Sequence, residues 1–383
     1  MARALYIHWP FCLKKCPYCD FNSHVRDGVD VAAWRTALLA DMRHEAQIAG
    51  GEPLHSVFFG GGTPSLMPPA LVADLLVKAE RLWGFDSAIE ITLEANPSSV
   101  EASRFAGLAA AGVNRVSLGL QALDDAALRF LGRLHGVAEG LAALEVAQAH
   151  FRRVSFDLIY ARPGHDPESW RRELEQALAL GTGHLSLYQL TIEDGTRFAT
   201  DVRAGAFNPL DDDGAGELFV LTRELTTTAG LPAYEISNHA RPGEQSRHNL
   251  TYWRYQDHCA IGPGAHGRRA GRATERHRKP ENWLAAVARN GHGIRQEREL
   301  GRSEQASEAL LMGLRLAEGI DLAAIGDRFG IAPEALIVER KLELHRGHGL
   351  AWRDGSRIGV TEAGMPLLDA LLGDLVAEAL VTA

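Results

Sequence analysis

Along the first half of the chain, short and nearly continuous apolar runs alternate with longer stretches in which apolar residues recur at helical spacing. The runs are Ala4–Trp9, Ser56–Phe59, Ile89–Glu94, Arg115–Leu120, Val154–Tyr160 and His184–Leu190. Apolar side chains at consecutive positions are expected of strands buried on both faces. Between them, Ala32–Ala49, Pro69–Trp83, Ala102–Ala111, Val137–Ala149 and Pro167–Leu180 are rich in Ala and Leu and predict helices. Repeated β-α units with right-handed crossovers imply a parallel sheet. Six units make a curled, incomplete barrel where eight would close it, so the predicted fold class is α/β, an incomplete (β/α)6-type parallel barrel.

The pattern changes near the end. Ser303–Ala317, Leu322–Phe329 and Pro333–His345 predict helices, Leu350–Thr361 a hairpin turning at Asp354-Gly355, and Met365–Leu375 a last helix. This order predicts a mostly helical, winged-helix-like domain. The expected organisation is a barrel over 1–240, a connecting segment over 241–300 and the C-terminal domain over 301–383.

Composition narrows the classes. The chain has 383 residues, 46% of them hydrophobic, and no uninterrupted apolar run of about 18 residues that could span a bilayer. A formal net charge of −9 argues against a general nucleic-acid binder, which carries a basic face. Arg268, Arg269, Arg272, Arg276, Arg278 and Lys279 form a local basic concentration, read as a solvated loop at least as readily as a patch. Acidic residues over Glu299–Glu318 and Glu334–Glu343 speak against duplex binding by the wing. Packing against the barrel mouth or a partner is expected instead. No secretory signal peptide is recognised, which predicts a reducing cytoplasmic setting.

In parallel barrels, chemistry collects at the C-terminal ends of the strands. After the first predicted strand comes Cys12-Leu-Lys-Lys-Cys16-Pro-Tyr-Cys19. Three thiolates on a [4Fe–4S] cube leave one iron open, whereas electron-transfer clusters are closed by four Cys. Zinc would need a fourth ligand, with His8 or His24 in reach of the motif. A disulfide would leave one of the three unpaired, and Cys259 is remote in sequence and reads as a small buried hydrophobe. Gly60-Gly61-Gly62-Thr63-Pro64 follows the second strand, Glu94 ends the third, Gln121 ends the fourth and Asp157 lies in the fifth, so all are expected on one rim. Glycines there predict a backbone cradle, Glu94 an ammonium acceptor, and Arg133 a bidentate carboxylate clamp.

The motifs jointly resemble radical S-adenosylmethionine proteins of the oxygen-independent coproporphyrinogen III oxidase family. They are Tyr6-Ile-His-Trp-Pro-Phe-Cys12, Cys16-Pro-Tyr-Cys19-Asp-Phe21, Gly60-Gly-Gly-Thr-Pro-Ser65, Glu94-Ala-Asn-Pro97, Ser117-Leu-Gly-Leu-Gln121, Leu131-Gly-Arg133-Leu-His135 and Asp157-Leu-Ile-Tyr160. His248-Asn-Leu-Thr-Tyr252-Trp253 is similar to an element of the heme-chaperone branch, and Gly262-Pro-Gly-Ala-His266 to a glycine-rich family segment. The chain departs from the oxidase at Phe21, where the oxidase has a further Cys, and in placing Cys12 near the start where the oxidase has an N-terminal extension.

The resemblance implies that Cys12, Cys16 and Cys19 ligate a [4Fe–4S] cluster. Tyr6, Tyr18, Gly61, Gly62, Thr63, Glu94, Gln121, Arg133 and Asp157 would surround S-adenosylmethionine. By itself His248 reads as a hydrogen-bonded structural histidine; the resemblance implies a heme ligand, with Tyr252 and Trp253 as flat faces for the macrocycle. It further implies a heme chaperone, with porphyrinogen decarboxylation as the alternative and radical modification of tRNA as a third class that the charge disfavours. A heme-acceptor protein, a membrane-bound respiratory enzyme in that role, a homodimer and peripheral membrane association are expectations at family level.

Overall fold

The computed structural model describes residues 3–26, 28–50, 52–377 and 380. The outer limits of the predicted domains, 1 and 383, lie outside the described residues. Six parallel strands follow one another in the sheet in chain order: β1 (Ala4–Trp9), β2 (Leu54–Gly61), β3 (Phe85–Ala95), β4 (Arg115–Gln121), β5 (Arg153–Tyr160) and β6 (His184–Gln189). Leu5, Ile7, Val57, Phe59, Leu93, Val116, Leu118, Phe156 and Leu158 are buried, as expected of strands covered on both faces. Helices α1 (Val31–Ala49), α2 (Pro69–Trp83), α3 (Val137–His150) and α4 (Pro167–Ala179) form the crossovers. Where a single helix was predicted over Ala102–Ala111, the chain makes two short ones, Ser99–Ala102 and Phe105–Ala110. Ser98 caps the first by accepting from Glu101 N, and its register ends before the apolar face of Phe105 and Leu108 begins.

The sheet extends beyond six strands. β7 (Asn238–Ala240), which follows helix α5 (Asp212–Thr228), pairs antiparallel with β6. Helix α6 (Arg247–Trp253) then leads into β8 (His258–Ile261), which pairs parallel with β1 on its free side. β9 (His266–Arg269), β10 (Arg272–Arg276) and, after helix α7 (Pro280–Asn290), β11 (Ile294–Glu299) continue outward in antiparallel pairing. The result is an open eleven-stranded mixed sheet. The last of these lacked a sequence signal because β11, Ile294-Arg-Gln-Glu-Arg-Glu299, is exposed from its second residue on, so nothing in it alternates towards a core; β7 and β8 are buried but only three and four residues long.

The basic concentration at 268–279 divides: Arg278 and Lys279 are exposed, as a solvated loop would have them, while two of its arginines are buried. Arg269 and Arg276 are 1% and 0% exposed. Arg276 binds Asp41 at 2.7 Å and Glu45 at 2.8 Å, and Arg269 binds Glu45 at 2.8 Å. Burial alone would raise the Glu45 carboxyl, but the Arg276 and Arg269 guanidiniums outweigh it and hold the group below its usual range. This network ties the antiparallel strands to α1.

A second hydrophobic core holds the C-terminal region together, with Leu310, Leu314, Phe329, Leu336, Leu342, Ile358, Leu368, Leu372 and Leu375 buried. Its elements are α8 (Arg302–Gly313), β12 (Ile320–Asp321), α9 (Leu322–Phe329), α10 (Glu339–Gly347), the hairpin β13 (Ala351–Asp354) and β14 (Arg357–Val360), and α11 (Leu368–Leu375). Strands β12, β14 and β13 form a small sheet, the expected helix and wing order. Phe219 and Ile236 of the barrel pack on this core, and Arg223 of α5 binds Glu362. Among the described residues, no helix is long and apolar enough to cross a membrane.

Candidate functional site

A cavity of about 730 Å³ opens at the C-terminal ends of the parallel strands. Cys12, Cys16, Cys19, Tyr18, Gly61, Gly62, Thr63, Glu94, Gln121, Arg133 and Asp157 all line it. Eleven of the predicted site residues are therefore brought together, most of them because consecutive parallel strands deliver the loops that follow them to the same edge. Asp369 of α11 also lines the cavity, so the C-terminal domain reaches its mouth. Asn96, Ser117, Gly119 and Tyr188 line it too and were not singled out from sequence; Asn96, Ser117 and Gly119 lie inside the motifs given above, the signal that could have found them.

The glycines line the cavity and also have a packing role that the sequence did not show. A Cβ on Gly61, at φ 116°, would lie 2.5 Å from the His8 ring, and one on Gly62 would lie 2.7 Å from Phe11 O. The missing side chains let the strand edge pack against the chain that leads into the cysteines. Gly62 N donates to Trp9 O at 2.7 Å and Thr63 N to Phe11 O at 2.8 Å. These bonds fix the cysteine loop to β2.

Two of the carboxyls lining the cavity, Glu94 and Asp157, lie on the strands, and among the described residues neither is hydrogen-bonded to a guanidinium or ammonium. Glu94 accepts from Gly61 N at 3.1 Å, and Asp157 accepts from Ser117 Oγ at 3.2 Å. Burial, then the Asp157 charge, pushes Glu94 up to about 8. Burial likewise raises Asp157 to about 6, against hydrogen bonds from Ser186 and Ser117. A cavity with two such groups suits a cationic ligand, which would relieve their repulsion. Arg133 Nε and Gln121 Oε1 are buried without a hydrogen-bond partner, and Gln121 is held at φ 70°. A carboxylate and a hydroxyl are the groups that would satisfy them.

The sulfurs have donors behind them. Thr63 Oγ1 donates to Cys12 Sγ and Arg133 Nη1 to Cys16 Sγ, both at 3.4 Å. Burial raises the Cys12 and Cys19 thiols above their ordinary range. Among the described residues, no group of three His, Cys, Asp or Glu is gathered tightly enough for a single ion. Ligands of a [4Fe–4S] cube bind separate irons, and His24 is engaged with Asn22 rather than with the cysteines, so the donor set fits the cube better than zinc.

Four predicted site residues do not line the cavity. Tyr6 lies beneath it, its hydroxyl 3.0 Å from His8 Nδ1. His248 is 1% exposed, and both ring nitrogens are engaged: Nδ1 with Ser56 Oγ at 3.0 Å and Nε2 with Tyr252 Oη at 2.6 Å. Its ring stacks on Phe58 with centroids 4.9 Å apart. Strand residue Ser56 precedes the Gly60–Gly62 edge in β2, so α6 sits towards the opposite end of the strands from the cysteines. Tyr252 and Trp253 are half-buried there with it, not displayed as flat faces on an open surface.

An open α/β barrel with a cysteine triplet, a glycine edge and two buried carboxyls at one rim defines a radical S-adenosylmethionine protein. The family model described as the radical SAM superfamily matches residues 6–177, and that of the HemN C-terminal domain matches 300–367. The chain belongs to the family of proteins named HemW. The protein named heme chaperone HemW from Haemophilus influenzae is 35% identical over 96% of both chains, and the one from Escherichia coli K12 is 35% identical over 98% of both. The mouse protein named radical S-adenosyl methionine domain-containing protein 1, mitochondrial, is 39% identical, covering 98% of this chain and 87% of its own. The solved structure of coproporphyrinogen III oxidase HemN from Escherichia coli superposes with a TM-score of 0.80 over 97% of this chain and 89% of that one, at 21% identity; it shares the fold. Membership of the radical SAM family implies a [4Fe–4S] cluster and S-adenosylmethionine.

Proposed function

We propose that this protein binds S-adenosylmethionine on a [4Fe–4S] cluster held by Cys12, Cys16 and Cys19, and that it binds heme and passes it to an acceptor protein in the cytoplasm. The observation that carries the first half is the gathering of three cysteines and the two carboxyls raised by burial, Glu94 and Asp157, around one cavity. When bound, the cluster supplies an electron and an open iron for chelation. Glu94, oriented by the bond it accepts from Gly61 N, faces the ligand's ammonium, Arg133 offers its unpaired Nε to the carboxylate, and Gln121 and Asp157 suit the ribose hydroxyls. Asp369 and the apolar residues Phe219 and Ile236 also line the cavity.

The heme half is supported by relatives of matching length whose names state it. His248 remains the proposed ligand, and the structure adds a condition: its ring must release Tyr252 before Nε2 can meet iron. A buried group stripped of its partner costs about 1–3 kcal/mol, so heme uptake is expected to be slow. Heme titration of anaerobically reconstituted protein tests this. Tyr252→Phe is expected to speed the growth of the Soret band several-fold, and His248→Ala to diminish the band. An unchanged titration in His248→Ala would confine that residue to holding α6 against β2. The alternative of porphyrinogen decarboxylation is checked by product formation from coproporphyrinogen III with reductant and S-adenosylmethionine; Phe21, 59% exposed at the cavity, stands where the oxidase has Cys.

A further inference from the structure

Asn96 joins the two donors that stand behind the cysteine sulfurs. Its Nδ2 donates to Thr63 Oγ1 at 3.1 Å, and its Oδ1 accepts from Arg133 Nη2 at 2.5 Å. Thr63 Oγ1 in turn donates to Cys12 Sγ and Arg133 Nη1 to Cys16 Sγ, at 3.4 Å each. One carboxamide therefore closes a chain from sulfur to sulfur across the rim. Asn96 is itself held: its N donates to Glu101 Oε2 at 2.8 Å, and the Ser65 hydroxyl donates to the same buried oxygen.

The chemistry of the partners fixes the direction of every bond in this chain. A guanidinium only donates, so the Asn96 oxygen must face Arg133 and the amide nitrogen must face Thr63. A flipped amide would set donor against donor. Thr63 has one hydroxyl hydrogen. Because Asn96 fills its lone pair as a donor, that hydrogen is free to point at Cys12. Arg133 is steered in the same way, since Gly119 O and Asn96 Oδ1 both accept from Nη2 and leave Nη1 for Cys16.

We propose that Asn96 is a positioning residue that aims the Thr63 hydroxyl at Cys12 and the Arg133 guanidinium at Cys16, and so sets the reduction potential of the cluster on those cysteines. The inference rests on the cluster assignment made above. Hydrogen bonds to the sulfurs are among the determinants of an iron–sulfur potential. They stabilise the reduced form, which carries the greater negative charge, and their loss shifts the potential downward.

The test is a reductive titration of anaerobically reconstituted protein followed by electron paramagnetic resonance, with iron and sulfide analysis and the apo-protein melting temperature beside it. Asn96→Leu and Thr63→Val are expected to retain full iron and to move the midpoint to more negative potential, while Thr63→Ser, which keeps the hydroxyl, stays with the wild type. The double variant Asn96→Leu/Thr63→Val is expected to shift by less than the sum of the two. A fully loaded Asn96→Leu protein at the wild-type potential overturns the proposal, and additive shifts overturn the route through Thr63. If Asn96→Leu does not fold, Asn96→Ser takes its place with the same expectation. A wild-type protein without iron and sulfide removes the cluster assignment itself, a result distinct from an unaltered potential.

Discussion

Glu94 is the residue at which burial and function pull hardest against each other. Its carboxyl stands at about 8 in the folded protein, raised first by burial and then by Asp157, against about 4.3 in an unfolded chain. An acid raised in the folded state is neutral there while the unfolded chain ionises, so its contribution weakens as pH rises from about 4.3 to about 8 and is level beyond. Glu94→Gln is therefore expected to stabilise the ligand-free protein at pH 8, by on the order of 3 kcal/mol after allowing for water in the cavity, and to change it little at pH 5. Thermal melts of both proteins at the two values check this; a difference independent of pH contradicts it. The same substitution should weaken S-adenosylmethionine binding. At this scale the sequence was most legible where a motif placed a residue at the end of a strand: the cysteines, Glu94, Gln121 and Asp157 all line the cavity. It was least legible where a residue works through its neighbours. His248 shows as a heme ligand by resemblance and as a doubly hydrogen-bonded buried ring by geometry, and the reason for Gly61 and Gly62 is the packing of His8 and Phe11 against them, which no local spacing reveals.

Among the elements, the six consecutive barrel strands could be read closely, since β1 and helix α2 match their predicted bounds and β2–β6 differ only at their ends, whereas the parallel β8 was not read. Continuous apolar runs are a strong signal because both faces of these strands are covered. The edge strands could not be read so. β9 and β10 carry arginines whose burial depends on Asp41 and Glu45, more than two hundred residues away, and a local pattern cannot show a partner at that distance. That network makes a further prediction. Glu45→Ala leaves Arg269 and Arg276 buried with too few counter-charges, and removing one partner of a buried pair costs about 3–5 kcal/mol. Denaturant unfolding should show a loss of this size, with β9–β11 losing hydrogen-exchange protection ahead of β2–β5. A loss below about 1 kcal/mol would show that the ions are better solvated than their burial indicates.

The whole molecule joins two cores, one under the barrel and one in the C-terminal region, and the site lies where they meet. The last predicted helix places Asp369 at the mouth of the cavity, and Arg223 with Glu362 clamps the two parts. Leu372→Ala empties space in the second core and is expected to cost about 2–5 kcal/mol. The cooperative unit that contains α11 should open first, seen as faster hydrogen exchange in α8–α11 with the barrel strands still protected; uniform loss of protection would show a single cooperative unit instead. The account as a whole depends on an iron–sulfur cube with three protein ligands and one iron left to S-adenosylmethionine. Mössbauer spectra of anaerobically reconstituted, iron-57-labelled protein, taken with and without S-adenosylmethionine, measure that directly. The prediction is about four irons per chain, of which one changes its environment when S-adenosylmethionine is added while the others do not. Absence of the cluster, or four irons indifferent to the ligand, would contradict it.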